Sequence, residues 1–347
     1  MEEQSYMLSD KLPLATPYKL MVDPTNLCNF KCTFCPTGDV ELLKKVNRPA
    51  GMMKIELFKK IIDDLKEFPE NLGSLRLFKD GESFLNKDLF NMIAYAKESG
   101  RVNEVYIISN GALIDEAKSN KILDSGLDRL RISVEHVSDE KYREITKTFS
   151  NYSKIIDNIS YLYNEKLRRN SKLHVDIKII DTGLTVEEKE KFKNDFQGIS
   201  DQLTIETLMG WNSPEDKDFT LNSNPETGID GKSKIKNRLV CAEPFEGLAI
   251  NFNGSASVCC VDWAHETSVG NVVNESLFNI WNGQRLRDFR LMHLEGKRSE
   301  LSACASCHYL EGHRRERDLD ATRKELIPKY LKEKSHFETV SHASFQV

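Results

Sequence analysis

Three cysteines within eight residues constrain this chain most: Cys28-Asn-Phe-Lys-Cys32-Thr-Phe-Cys35, spaced C-x3-C-x2-C. Three thiolates on one loop can each hold one iron of a [4Fe–4S] cube, and with no fourth Cys at hand one iron stays open to a small-molecule ligand. An open iron is a place for chemistry. Zinc is the alternative, but it prefers four closed ligands, and no further Cys or His lies near this loop in sequence.

Five more cysteines follow, at 241, 259, 260, 304 and 307. A chain of 347 residues can bury a core without disulfide staples, and clustered cysteines in a reducing compartment read as metal ligands. Net charge is −5, with no basic block, which argues against a nucleic-acid partner. No apolar run approaches the roughly 20 residues of a membrane span, and residues 1–17 lack a signal-peptide profile. A cytoplasmic protein with no membrane partner is expected.

Between the cysteine groups, strand and helix periodicities alternate. Strands are expected at Lys19–Val22, Ser74–Phe78, Val105–Ser109, Arg129–Val134, Leu173–Ile180 and Gln202–Leu208. Helices are expected at Ile55–Phe68, Leu89–Ser99, Ile114–Ser125, Tyr152–Leu167 and Val186–Phe196. Repeated βα units give an α/β fold with a parallel sheet and right-handed crossovers. Periodicity alone leaves a six-stranded partial barrel, a full barrel and an open doubly wound sheet in play.

The Cys loop after a strand, with Phe34 just before its third Cys, resembles the radical S-adenosylmethionine (SAM) superfamily. The resemblance implies a partial (β/α)6 barrel, a [4Fe–4S] cluster on Cys28, Cys32 and Cys35, and SAM bound at the open iron with Phe34 beside the adenine. Parallel barrels carry ligands at the carboxyl ends of their strands, and the family's later motifs fall there. Asp80-Gly81-Glu82 resembles the Gly-Gly-Glu that holds the SAM amino group, with Asp80 in place of the first Gly. Ser109-Asn110-Gly111 is similar to the family's Thr-Asn-Gly, so Ser109 and Asn110 are expected near the methionine moiety. Ser133 and Glu135 stand where the family often faces SAM or substrate.

Residues 210–238 are rich in Asn, Ser, Pro, Asp and Lys and read as a linker or substrate-facing loop that includes Trp211. Beyond them Asn253-Gly254 signals a two-residue hairpin with positive φ at both positions, flanked by Leu248–Asn251 and Ser255–Cys260. Cys241, twelve residues, Gly254, four residues and Cys259, then Cys304-Ala-Ser-Cys307, resembles the SPASM and twitch modules appended to many radical SAM enzymes. That implies a second, auxiliary [4Fe–4S] cluster on Cys241, Cys259, Cys304 and Cys307. His313 stands where the longer pattern has another Cys, which favours the twitch arrangement, and structural zinc is the alternative for four thiolates. Alternation along a strand turns Cys260 away from Cys259, either into a small buried niche or toward the active site as a hydrogen donor. Trp281 is expected in the core, His265, His308 and His313 off the metals, and Arg314, Arg315 and Arg317 on a solvated face.

The expected organisation is an extension (1–17), the barrel (18–209), the loop (210–238), a small α+β hairpin module (239–310) and a charged helix and tail (311–347). The resemblance implies a 5′-deoxyadenosyl radical that abstracts a C–H hydrogen, with flavodoxin or ferredoxin as electron donor. Dehydrogenation of a small polar substrate such as a sugar or aminocyclitol is the leading expectation. Epimerisation of a sugar or peptide residue through Cys260 and peptide crosslinking are the alternatives; residues 1–17 leave no room for the leader-binding domain of many crosslinking relatives. A non-catalytic iron–sulfur carrier would not need the strand-end motifs.

Overall fold

The computed structural model describes residues 7–149, 151–211, 218–221, 226–228, 231 and 233–332. Much of the 210–238 loop and the tail beyond residue 332 thus lie outside the described residues. Six parallel strands build the first part: β1 (Lys19–Val22), β2 (Leu72–Arg76), β3 (Val102–Ser109), β4 (Arg129–Val134), β5 (His174–Asp181) and β6 (Gln202–Thr207). Helices α1 (Val40–Lys45), α2 (Ile55–Asp64), α3 (Leu89–Glu98), α4 (Glu116–Asp124), α5 (Asp139–Thr146), α6 (Tyr152–Arg168) and α7 (Val186–Phe196) lie between them. The C-terminal part adds α8 (Glu243–Glu246), β7 (Gly247–Ile250), β8 (Ser255–Ser257), β9 (Ser268–Asn271), α9 (Leu277–Asn282), α10 (Gln284–Leu294) and α11 (Ser302–Ala305).

All nine strands form one sheet in the order β6-β5-β4-β3-β2-β1-β7-β8-β9. β7 pairs parallel with β1 along its whole length, Lys19 opposite Gly247 to Val22 opposite Ile250. The hairpin therefore continues the barrel's sheet.

Strand alternation separates two environments. On β4, Leu130, Ile132 and Val134 are buried among the helices, while Arg129, Arg131 and Ser133 point the other way. The inner face is correspondingly charged. Arg129 and Arg131 bond Asp176 at 3.0 and 2.5 Å, and Glu206 takes Arg131 at 2.6 Å and Lys178 at 2.8 Å. Parallel sheets covered on both faces ordinarily read as continuous apolar runs; this one keeps a polar lumen. Helix starts are fixed locally, by Asn151 accepting from the Lys154 N–H ahead of α6 and by the Thr185/Glu188 capping box ahead of α7.

Three expectations are corrected. First, only Gly254 of the Asn-Gly pair has positive φ (+89°). Asn251 accepts from the Gly254 N–H at 2.8 Å, and the Asn251 N–H bonds Ser255 at 2.9 Å, so the connection is a longer turn ending on a left-handed Gly. Second, β8 stops at Ser257, so Cys259 and Cys260 lie past the strand and its alternation does not govern them. Third, Arg317 is not solvated: it bonds Glu243 at 2.7 Å and also Glu246, and Glu243 in turn holds Lys19 at 2.9 Å. Trp281 is buried as expected, with its indole N–H on the Leu14 carbonyl at 3.0 Å. Among the described residues no helix is long and apolar enough to cross a membrane.

Candidate functional site

The Cys28–Cys35 loop leaves β1 at the carboxyl end of the barrel and is held from three sides. The Lys31 and Thr33 N–H groups bond the Thr146 and Ile145 carbonyls at the end of α5, at 2.8 and 3.0 Å. Glu82 N–H bonds the Leu27 carbonyl at 2.9 Å. Gly81 presses on the same stretch so closely that a Cβ there would sit 2.2 Å from the Thr25 carbonyl oxygen and 2.4 Å from that of Leu27. This close approach gives the motif glycine its physical reason.

The strand-end motifs are wired to one another. Glu82 is buried, and its carboxylate accepts from Ser109 Oγ at 2.9 Å, the Asn110 N–H at 2.8 Å and the Phe84 N–H at 3.1 Å. Burial raises its carboxyl, and those donors oppose the rise. Asn110 Nδ2 donates to Asn29 Oδ1 at 2.8 Å and lies 4.0 Å from Cys28 Sγ. Phe34 is buried, and its carbonyl accepts from the Trp211 indole at 3.0 Å, so the start of the 210–238 loop reaches the Cys loop. Ser133 lies on β4, opposite Lys178 of β5. Glu135 is buried within electrostatic reach of all three loop cysteines, and burial pushes its carboxyl up to about 7 against the pull of Lys178.

Asp80 departs from the Gly it replaces in a definite way. Its Oδ2 bonds Lys79 Nζ at 2.7 Å and His265 Nε2 at 2.9 Å, with Arg48 at 3.8 Å. The carboxylate thus ties the end of β2 to the C-terminal part. Behind it Asp23 is fully buried with neither carboxylate oxygen partnered, and burial together with the Asp80 charge raises its carboxyl. Asn29, Arg48, Lys79, Asp23 and His265 were not legible as site residues. Apart from the neighbouring pair Lys79–Asp80, the groups they meet lie tens to hundreds of positions away, as Asn29 with Asn110, His265 with Asp80 and Lys79 with the Asp262 carbonyl do, and no spacing announces them.

The C-terminal cysteines converge. Cys241, before α8, Cys259, after β8, and Cys304 and Cys307, around α11, line one cavity together with His293, Arg298 and Tyr309. Cys260 is not among the lining residues, but its thiol is in hydrogen-bond contact with that of Cys259, and it lies within electrostatic reach of Glu243, Lys19 and Arg76. Among the described residues no group of three or more His, Cys, Asp or Glu is placed to grip a single metal ion; the four thiols stand around a volume instead. Burial pushes Cys28 up to about 12, Cys35 to about 11 and Cys304 to about 12, so metal binding must displace their protons. Three thiols on one loop and four around one cavity fit two iron–sulfur clusters, one open and one closed.

A family model described as the radical SAM superfamily matches residues 22–196, just over half of the chain. The chain belongs to the radical SAM superfamily. A second model, an iron–sulfur cluster-binding (SPASM) domain, matches residues 241–308. This radical SAM protein therefore uses S-adenosylmethionine and a [4Fe–4S] cluster, and its C-terminal domain binds further iron–sulfur. It is 32% identical over 130 residues to Fe-coproporphyrin III synthase of Methanosarcina barkeri (36% of this chain, 29% of that protein). It is also 32% identical over 130 residues to PqqA peptide cyclase of Granulibacter bethesdensis (37% and 32%). The matches thus span about a third of those relatives' length. Among solved structures, BtrN with AdoMet and 2-DOIA aligns over 84% of this chain and 92% of its own, at 18% identity and TM-score 0.52. Streptococcus suis SuiB bound to precursor peptide SuiA aligns over 88% and 72%, at 15% identity and TM-score 0.58. The anSMEcpe structure with AdoMet and Cp18Cys peptide aligns over 91% and 97%, at 15% and 0.57. These likenesses establish the radical SAM barrel fold.

Proposed function

We propose that this chain is a radical SAM oxidoreductase that dehydrogenates a small polar substrate such as a sugar or aminocyclitol. Bound at the Cys28–Cys35 loop, SAM and the cube supply one-electron cleavage of SAM and a radical that takes hydrogen from an unactivated C–H bond. The chain's residues orient and enclose. Cys28, Cys32 and Cys35 hold three irons. Glu82 fixes the Asn110 backbone and the Ser109 hydroxyl against the SAM methionine moiety, with Asp80 and Gly81 beside it. Phe34 covers the adenine, and Ser133 and Glu135 close the site from β4.

The observation that carries the reading is the closed set of four thiols around the C-terminal cavity. Once a hydrogen atom is gone, desaturation must still shed a proton and an electron, and an iron–sulfur group held by Cys241, Cys259, Cys304 and Cys307 would supply an acceptor for that electron. The lumen, lined by paired Arg129, Arg131, Asp176, Lys178 and Glu206, suits a polar substrate. The peptides named with SuiB and anSMEcpe support a short peptide as the alternative substrate class. Flavodoxin or ferredoxin would supply the initiating electron.

A second reading, epimerisation with Cys260 as hydrogen donor, is favoured by one fact: Cys260, in contact with Cys259, is also within reach of Arg76 and Lys19, which rise from the inner faces of β2 and β1. The test is the product. Dehydrogenation yields a compound two hydrogens lighter, takes no solvent deuterium into the reacting carbon, and loses no more than a fewfold in rate with Cys260→Ala. Deuterium at an inverted carbon, with turnover stalled by that substitution, would replace this reading with the second. A reduced, reconstituted holoenzyme that forms no 5′-deoxyadenosine would refute both and leave an electron carrier.

A further inference from the structure

His293 lies on α10 with 1% of its surface exposed. Its ring stacks on Phe289 one turn earlier, centroids 5.1 Å apart, and both rings line the four-thiol cavity. Nδ1 accepts the Cys241 backbone N–H at 3.3 Å, which leaves that nitrogen without a proton of its own. A neutral imidazole then carries its hydrogen on Nε2. Nε2 is buried and has no partner. An unpaired buried donor forfeits its hydration without replacement, and such groups are rarely left orphaned in folded proteins.

We propose that His293 Nε2–H donates to a sulfur of the iron–sulfur group held by Cys241, Cys259, Cys304 and Cys307, and that this hydrogen bond makes the group a better electron acceptor. Hydrogen bonds to cluster sulfurs are among the terms that set reduction potential. A donor stabilises the more negative, reduced state, so its loss lowers the potential. His293 is then a positioning and tuning residue. The inference rests on the reading of the cavity as a cluster site, and it deepens the role of that site as an electron sink.

Two substitutions separate donation from simple support of Cys241. His293→Asn places an amide where Nδ1 stood and keeps an acceptor for the Cys241 N–H, but it cannot reach the position of Nε2. His293→Gln does the reverse. Both are made in the full chain with Cys28, Cys32 and Cys35 replaced by Ala, so that only the C-terminal group reports, and potentials are read by anaerobic redox titration followed by electron paramagnetic resonance. His293→Asn should lower the reduction equilibrium by about tenfold, about 59 mV for one electron, and remove an exchangeable proton coupling that heavy water also removes. His293→Gln should keep both the potential and the coupling. An unshifted Asn variant, or a shifted Gln variant, overturns the proposal in favour of a purely structural histidine. If the Asn variant loses its iron, the Gln variant decides alone. If the parent chain without the loop cysteines takes up no iron, the cluster reading of the cavity fails, and this inference falls with it.

Discussion

Glu82 illustrates how much a single carboxylate can organise. Three donors from two elements converge on its two oxygens, so the charge is satisfied without solvent. Glu82→Gln keeps the shape but turns one oxygen into an amide that faces a donor. A lost charge-assisted bond and the resulting clash cost about 1.5–3 kcal/mol, expected to appear as at least a roughly tenfold rise in the SAM dissociation constant, read by anaerobic equilibrium dialysis, with an unchanged circular dichroism spectrum. Wild-type affinity in that variant would mean that Ser109 and Asn110 are positioned by something else. The motif residues Gly81, Glu82, Ser109 and Asn110 were legible through their resemblance to the family's strand-end motifs, and the close backbone approach at Gly81 is the physical constraint behind one of them. Asp80 was legible as a departure only. Its bond to Lys79 is to the next residue, but the bond to His265 depends on a partner 185 positions away, and no local pattern encodes such a distance.

At the scale of elements, strands with alternation and long amphipathic helices could be read to within a few residues; β1, β4 and α7 agree with expectation at both ends. Short elements could not. α5 has eight residues, most of them polar, and exists to dock the Cys loop with its last carbonyls, a tertiary role that periodicity does not record. α8 is shorter still, and its Glu243 shows why Arg317 leaves the solvated face that Arg314 and Arg315 keep. Burial alone would raise that carboxyl, but Lys19 and Arg317 hold it well below the usual carboxylate range. A carboxylate whose folded pKa is depressed adds stability that is present above its unfolded value near 4.5 and is lost as pH falls through the folded value. Arg317→Met should therefore destabilise the protein by about 3 kcal/mol at pH 7, by breaking a largely buried pair. The gap from wild type should narrow as pH falls below about 4.5, as measured by urea midpoints across that range. A pH-independent gap would assign the loss to packing of the arginine stem.

For the whole molecule, the joining of β7 to β1 matters beyond attaching the C-terminal cysteines to the barrel's sheet. β1 is a seam: it pairs with β2 on one side and with a strand more than two hundred residues later on the other. Until Gly247–Ile250 arrives, the backbone groups of Lys19–Val22 on that side have no partner. Open strand edges template pairing with other chains, and pairings between distant segments form slowly. The barrel thus carries an adhesive border throughout its early folding life, and the C-terminal hairpin acts as its selvedge. Ending the chain at residue 238 should give a barrel that self-associates on gel filtration, where the full chain keeps that border sealed by its own later sequence.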